Sequence, residues 1–474
     1  MKILFLNIER NFVKNRIYHP SHPTPPLDIG YCSAILEKSG HKTFFLDTAT
    51  DYITIETLTQ QIKDIGADVL VIKPHITVAA IAIRVASIVK KSFAQIRIFC
   101  IGPSVTYSPH TFLFQNTPID ACVIGEAEYA LVDLIDADNI SKADGIAFFD
   151  KSMQVSKPRK LIEDLDNLPF PKHELFLNKN YSIYYPLDVD TKLKPGFMQA
   201  NRGCPFKCTF CSPIDGRSAF GNTFRFRDSE KVVDEIEYLT SFGVNGIGFF
   251  DSIFVADKKR VVKTCDLINQ RGIDVSWTAE TRVNTVDRLI LEKMRNAGCS
   301  SLSFGIESGS DKILGVLNKV ATINQAKRAI NLVKDCGIKT VGFFIIGSPS
   351  ETYSEMQQTL QLALSLPLDM IQVSFFTPFP GSPAYETFTL DGGLDKYNMN
   401  NNGSEIKHSP VSSHFLLQFQ KYFYKKFYMR PGLIIKYMLR LAKATRTQNL
   451  GNELQLLNSS LKYLIVHNNG KSSK

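Results

Sequence analysis

The chain of 474 residues is 44% apolar and 21% charged. That composition excludes disordered and fibrous classes, and the length calls for two or three domains. Apolar runs such as Gly342–Gly347 fall far short of the ~20 residues a membrane span needs. The N-terminus, MKILFLNIER, lacks the long apolar stretch and cleavage site of a signal peptide, so a cytoplasmic protein is expected. The net charge of +9 is concentrated at one end. Lys407–Lys474 carries twelve Lys or Arg and one acid, Glu453, a balance of +11 that leaves −2 for everything before it.

From Lys2 to about Ile135, short apolar runs alternate with segments of helical spacing. KILFLNI, KTFFLD, DVLVI, IRIFCIG and DACVIG predict strands; Ile29–Lys38, Ile55–Ile65, Val78–Val89 and Ala127–Ile135 predict the helices between them. This rhythm predicts an α/β fold with a doubly wound parallel sheet of Rossmann or flavodoxin type over residues 1–137. Ligands of such sheets lie beyond the carboxyl ends of the strands. Here those ends are the loops Asn7–Glu9, Lys73–Thr77, Gly102–Thr106 and Gly125–Glu128. Residues 138–194, with the closely spaced prolines of LIEDLDNLPFPKHELF, read as a linker.

A second series follows, with GFMQA, GIGFF, DVSWTA, SLSFGI, KTVGFFII and MIQVSFF separated by helix-length segments. Six βα units predict a partial (βα)6 TIM barrel over residues 195–383, whose site forms from the loops after the strands. Residues 384–474 then read as a small basic helical domain, with helices at about 413–429 and 432–446 behind a polar stretch at Asp391–Gly403.

Six of the nine cysteines, Cys32, Cys100, Cys122, Cys265, Cys299 and Cys336, stand singly in apolar segments and read as buried thiols. The other three crowd into NRGCPFKCTFC, just after the first barrel strand. Cys204, Cys208 and Cys211 at this spacing can hold three irons of a cubane cluster and leave the fourth iron open. Zinc is the other reading of three thiols, but a structural zinc site needs a fourth ligand, and no further Cys or His lies nearby.

Three cysteines so spaced, after the first strand of such a barrel, resemble the radical S-adenosylmethionine (SAM) superfamily. The resemblance implies a [4Fe–4S] cluster on Cys204, Cys208 and Cys211, which serve catalysis through it, and SAM chelated by the open iron. The family's chemistry is reductive cleavage of SAM to a 5′-deoxyadenosyl radical that takes hydrogen from an unactivated carbon. Around SAM it implies Phe210 near adenine, Asp251 and Ser252 near the amino group, Glu280 and Arg282 at the ends of the methionine moiety, Glu307 near the ribose and methionine, and Ile345 within FFIIGSPSE. Two positions depart from the pattern: Ser252 stands where relatives often carry a second acid, and Phe343 where many show glycine.

PPLDIGYCSAILEKSGHKTFFLD, IGPS and DACVIGEAEYALVDL resemble the B12-binding half of cobalamin-type radical SAM proteins. Anaerobic magnesium-protoporphyrin ester cyclase-like proteins are the nearest group. Cobalamin is therefore implied at Asn7, Gly30, Thr77, Gly102, Pro103, Gly125 and Glu126. There is no Asp-x-His-x-x-Gly sequence, so no lower cobalt ligand is offered, and His75 reads as a surface residue. The expected activity is cobalamin-dependent C-methylation of an apolar substrate, with lipids among the candidates. Oxidative cyclisation, desaturation or C–C joining is the alternative, and a cluster- or cobalamin-binding sensor is the non-enzymatic one. The expected partners are a small-molecule or lipid substrate and an electron donor such as flavodoxin or ferredoxin.

Between Phe415 and Arg446 there are eight Lys or Arg and no acid. Phe415, Phe419, Phe423 and Phe427 make one aromatic stripe. Two basic amphipathic helices over 413–446 can lie on an anionic membrane surface, at the inner face of the membrane. The other reading packs the stripe on the barrel. Nucleic acid is less favoured, since no RNA-binding module follows the barrel.

Overall fold

The computed structural model describes residues 1–8, 23–183, 192–211, 223–388 and 409–444. Glu9, the stretch Asp391–Gly403 and everything from 445 onward, Arg446 included, lie outside the described residues.

Seven strands form the first sheet: β1 (Lys2–Ile8), β2 (Lys42–Asp47), β3 (Val69–Pro74), β4 (Arg97–Cys100), β5 (Ala121–Val123), β6 (Ile146–Asp150) and β7 (Ser152–Val155). Their order is β2-β1-β3-β4-β5-β6-β7; the first five run parallel and the last two antiparallel. The near-continuous apolar runs of β1, β3 and β4 follow from helices on both faces. Leu4, Leu6, Leu70, Ile72 and Ile98 point into one core, and Ile3, Phe5, Val69, Val71 and Phe99 into the other. The hairpin β6–β7 falls within the stretch expected to be a linker and prolongs this sheet.

Six parallel strands form the second sheet: β8 (Pro195–Met198), β11 (Gly246–Phe249), β12 (Ser276–Thr281), β13 (Cys299–Glu307), β14 (Lys339–Ile346) and β15 (Met370–Phe375), in the order β15-β14-β13-β12-β11-β8. Between β8 and β11, β9 (Asn201–Arg202) and β10 (Arg225–Phe226) pair as a two-residue antiparallel stem. The βα alternation holds throughout, with helices such as Ser229–Ser241, Lys258–Gln270 and Ile323–Asp335 on the outer face.

The outer face is mostly apolar: Met198, Ile247, Phe249, Trp277, Leu302, Phe304, Phe344, Ile371 and Val373 share one core. Because side chains alternate along a strand, the register assigns the other residues to the lumen. There Phe197, Gly248, Thr278 and Ser301 stand side by side, then Glu280, Ser303 and Val341, then Gly305, Phe343 and Gln372. Polar side chains (Thr278, Ser301, Glu280, Ser303 and Gln372) thus share the lumen of this barrel with Phe197, Val341 and Phe343.

The aromatic stripe of the tail helix Ser413–Tyr428 is not offered to a membrane. Leu416, Phe419, Phe423 and Phe427 are buried in the barrel core. On the same helix, Gln420, Tyr424 and Tyr428 cover the open edge of β15. Val373 N–H donates to Tyr424 Oη (2.8 Å), Gln420 Nε2 donates to the Val373 carbonyl (2.7 Å), and Ile371 N–H donates to Tyr428 Oη (3.3 Å). Four residues of helix and two of strand advance by nearly the same length, about 6–7 Å, so hydroxyls can serve an edge that a seventh strand does not. The next helix, Pro431–Ala444, buries Leu433 and exposes Ile434, Ile435, Met438 and Leu439.

Candidate functional site

Cys204, Cys208 and Cys211 lie on the loop that leaves β9 at the carboxyl mouth of the barrel, after a turn at Gly203 with φ +86°. The loop is fastened to the segment after the helix Asp311–Val316. Thr209 N–H donates to the Leu317 carbonyl (3.0 Å), Thr209 Oγ1 to that of Val316 (3.1 Å), and Asn318 Nδ2 to that of Lys207 (2.6 Å). Cys208 is buried, Cys204 half-buried and Cys211 exposed.

Two cations flank the thiols. Arg282 Nη1 lies 3.5 Å from Cys208 Sγ, and its guanidinium sits 3.8 Å from the centre of the Phe206 ring. Lys319 Nζ pairs with Glu307 Oε1 at 2.6 Å and lies 5.8 Å from the centre of the Phe210 ring. Burial holds the Cys204 thiol above its ordinary value; the Phe206 backbone N–H offsets part of this, Cys208 adds to it, and Arg282 and Lys319 oppose it. Among the described residues no three His, Cys, Asp or Glu side chains gather on one point. Thiolates shared among several irons of a cluster, with two cations to offset their charge, suit this arrangement.

The residues expected around SAM separate into two groups. Phe210 packs with Ile345, Ile313, Leu317 and Phe376 in a small apolar cluster beside the cysteine loop. Ser252 keeps a buried hydroxyl without a partner at the end of β11, and Glu280 stands on the lumen face of β12. The other three are engaged elsewhere. Asp251 is fully buried, accepting from Asn201 N–H (2.6 Å) and Ala200 N–H (3.0 Å), so its carboxyl fixes the turn before the cysteine loop instead of facing a ligand. Burial lifts that carboxyl to about 7, against the two backbone donors. Arg282 commits part of its guanidinium: Nη2 donates to the Lys319 and Val320 carbonyls and Nη1 faces Cys208 Sγ, while Nε is buried without a partner. Glu307, at φ +66°, is held by Lys319. Gly305 leaves the room for this pair; a Cβ there would come within 2.3 Å of Glu307 Oε1 and 2.5 Å of Lys319 Nζ.

In the first sheet, Asn7 ends β1 with Nδ2 donating to Asp47 Oδ1 (3.0 Å), and Thr77 Oγ1 lies 2.7 Å from His75 Nδ1. Gly102 (φ +98°) leads into the short helix Pro103–Tyr107, while Gly125 (φ +94°) donates its N–H to Thr106 Oγ1 (3.1 Å) and faces open space. These residues rim the carboxyl edge of the sheet, and a Cβ at Gly125 would fill part of that space. The edge suits a large, backbone-contacted ligand such as a corrin.

Gly30 and Glu126 do other work. Gly30 lies inside the helix Leu27–Lys38, where a Cβ would meet Phe176 and Pro171 at 2.9 Å, so it serves close packing against the following segment. Glu126 is buried and ion-paired to Arg202 and Arg225 of the stem. His75 is half-buried, its ring 6.4 Å from that of Phe379 beyond β15, so it bridges the two halves instead of lying on the surface.

Sequence reasoning missed Phe206 within the cysteine loop and Arg202 just before it, Lys319 and Arg225, which the fold brings to the loop and its stem, and Glu351. Glu351 is fully buried with Oε1 unpaired, and burial raises it to about 7. The one available signal was charge in otherwise apolar context, as in FGNTFRFR for Arg225 and LGVLNKV for Lys319. A second missed cluster joins the linker to the barrel: His173 Nε2 lies 2.8 Å from Glu235 Oε1, and Arg227 pairs with Oε2. Burial opposes charge on Glu235, but Arg227 and His173 prevail and lower its pKa.

The sequence matches the Radical SAM superfamily over residues 198–363 and the B12 binding domain over residues 17–135. An uncharacterized methyltransferase of Pyrococcus horikoshii is 30% identical over 425 residues, covering 87% of this chain and 89% of the relative. An anaerobic magnesium-protoporphyrin IX monomethyl ester cyclase of Cereibacter sphaeroides is 31% identical over 429 residues, covering 86% of this chain and 68% of the relative. In fold, the chain superposes on the cobalamin-dependent SAM radical enzyme OxsB with aqua-cobalamin bound at a TM-score of 0.69 and 16% identity, over 98% of this chain and 79% of that one. Its cofactors are accordingly a [4Fe–4S] cluster, SAM and cobalamin. The chain belongs to the radical SAM superfamily, in the methyltransferase-like class that carries a B12-binding domain.

Proposed function

We propose that this enzyme methylates an unactivated carbon of an apolar substrate that also carries a polar group. The observation that carries this reading is the placement of the cysteine loop between a barrel lumen of mixed polar and apolar lining and the glycine-rimmed edge of the first sheet. When bound, the cluster and SAM supply a hydrogen-abstracting radical and cobalamin supplies a methyl group; the protein supplies position and water exclusion. Cys204, Cys208 and Cys211 would hold the cluster, with Arg282 and Lys319 balancing its charge. Phe210 and Ile345 offer an apolar wall to adenine, and the Ser252 hydroxyl an acceptor or donor to SAM. Asn7, Thr77, Gly102, Pro103 and Gly125 would receive the corrin. Ser303, Glu280 and Gln372 would orient the substrate's polar group against Phe343. Reducing equivalents would come from a flavodoxin or ferredoxin.

The test is transfer of label from methyl-deuterated SAM into an extract of cells lacking the gene, using anaerobically reconstituted protein and a reductant. Deuterated methyl in the lipid fraction is expected. Label confined to polar metabolites rejects an apolar substrate. A product two mass units lighter and unlabelled favours cyclisation or desaturation instead.

We place the enzyme in the cytoplasm, docked at an anionic membrane surface through the helix Pro431–Ala444. Support comes from its exposed Ile434, Ile435, Met438 and Leu439, next to a tail rich in Lys and Arg and nearly free of acids. No helix among the described residues is long and apolar enough to cross a membrane. The variant I435E/L439E should lose flotation with anionic liposomes while the parent floats. Equal recovery of both rejects docking by this face.

A further inference from the structure

The stem β9–β10 that opens the cysteine loop sets two like charges directly across from each other, Arg202 and Arg225. Such a cross-strand pair repels, and an acid must lie close to make it tolerable. Both acids come from the first sheet. Arg202 Nη1 donates to Glu126 Oε1 (2.9 Å) and Nη2 to Glu128 Oε1 (2.6 Å), so the planar fork of one guanidinium spans two carboxylates on the loop and helix that follow β5. Its guanidinium carbon also lies 5.0 Å from the centre of the Tyr31 ring, on a helix of the same half. Arg225 Nη1 donates to Glu126 Oε2 (2.9 Å) and to the Ile162 carbonyl (2.6 Å), and Ile162 N–H donates to Glu126 Oε2 (2.7 Å). The side chains of Arg202 and Glu126 are 11% and 3% exposed, so water screens little of this attraction.

Position in the chain gives the network its consequence. Arg202 precedes Cys204 by two residues, with only Gly203 between them. Glu126 directly follows Gly125, the left-handed turn on the edge that would receive the corrin. One buried side chain thus ties the start of the cysteine loop to the strand-end loop of the other half. A guanidinium fork fixes direction as well as distance, which a single ammonium cannot do.

We propose that Arg202 is a positioning residue through which the first sheet sets the placement of the cysteine loop, and so of the SAM site, relative to the cobalamin edge. The proposal rests on the radical SAM reading for its spectroscopic arm alone.

The test compares full-length parent, R202K and E128Q by hydrogen–deuterium exchange, and by electron paramagnetic resonance of the reduced, anaerobically reconstituted cluster with and without SAM. R202K keeps the charge and loses the fork. Exchange of the amides from Gly203 to Cys211 should rise about tenfold, as expected of a locally released segment, while the helices Ser229–Ser241 and Ile323–Asp335 stay unchanged. The spectral change on adding SAM should be lost or broadened in R202K at unaltered iron and sulfide content. Should R202K not fold, E128Q is read in the same way, since it strips the charge from one arm of the fork and leaves Arg202 paired with Glu126. Loop exchange equal to the parent's, or a rise spread evenly over both halves, overturns the proposal. A parent whose spectrum ignores SAM would overturn the proposed function instead, and loop exchange would still decide the clamp.

Discussion

Two parallel sheets of the same chain grow from the same βα rhythm and end in different chemistry. In the first, alternate residues of β1 and β3 enter separate apolar cores on the two faces, and no lumen forms. In the second, β13 sends Leu302, Phe304 and Ile306 outward and keeps Ser301, Ser303 and Gly305 for the inside. The difference is one of period: continuous apolar runs build a sheet covered on both sides, and small polar residues at every second position build a barrel with a usable interior. Ligands of the first sheet are left to its edge, whereas the second can take them inside. Buried acids differ too, though not strictly by sheet, since Glu307 at the barrel mouth keeps Lys319 and Glu235 keeps Arg227. Glu126, at the edge of the first sheet, is matched by two arginines that outweigh its burial and lower its pKa. At the mouth of the barrel, Asp251 and Glu351 have no such match, and burial raises both to about 7.

That contrast predicts that the pH dependence of stability near neutrality belongs to the barrel. Between about pH 4 and 7 the native state holds protons on Asp251 and Glu351 that the unfolded chain releases, so stability falls as pH rises through this window. Each group contributes a slope of up to about 1.4 kcal/mol per pH unit. Above the native values both carboxyls are ionised in either state and the slope vanishes. Glu126 and Glu235, whose native values are lowered, act in the opposite sense, and their stabilisation is lost as pH falls below the ordinary glutamate range. Thermal unfolding of the cofactor-free protein from pH 5 to 8 should therefore show a falling Tm, flattened stepwise in D251N and E351Q. A Tm that rises over that range would mean both side chains ionise in the native state.

Much of the fold was legible in the sequence because it depends on period and on turn residues. The parallel strands of both sheets, the crossing helices and the position of the cysteine loop all follow from residues near one another in the chain. The hairpin β6–β7 was not legible, since IAFFD and SMQV are short and the second is wholly exposed. At the site, the three thiols were readable from spacing alone, but the duties of charged residues were not. Asp251, Arg282 and Glu126 each sit at a strand end where a ligand contact was expected, and each is occupied by a partner far away in sequence: Asn201, Lys319 and Arg225. Which of two plausible partners a buried charge takes is decided by the closing of the tertiary structure. The tail shows the same limit. Its Phe stripe had two equally good burial sites on paper, membrane and barrel, and the free edge of β15 beside Gln420, Tyr424 and Tyr428 decided between them.

The finest test of the contrast lies on the lumen face of β13. Ser303 is fully buried and its hydroxyl has no partner, while its neighbours across the sheet are Glu280 and Val341. A buried hydroxyl left unpaired is costly, of the order of 1–3 kcal/mol, and in a purely structural sheet it would be a defect. Ser303→Ala removes the hydroxyl and little volume, so urea unfolding should show stability unchanged or raised by up to about 1 kcal/mol. The same variant should transfer less methyl label than the parent if the hydroxyl meets a polar group of a bound ligand. Stability lowered by the substitution would mean the hydroxyl already serves the fold. Stability unchanged with full label transfer would make the lumen at this level as indifferent to ligands as the interior of the first sheet.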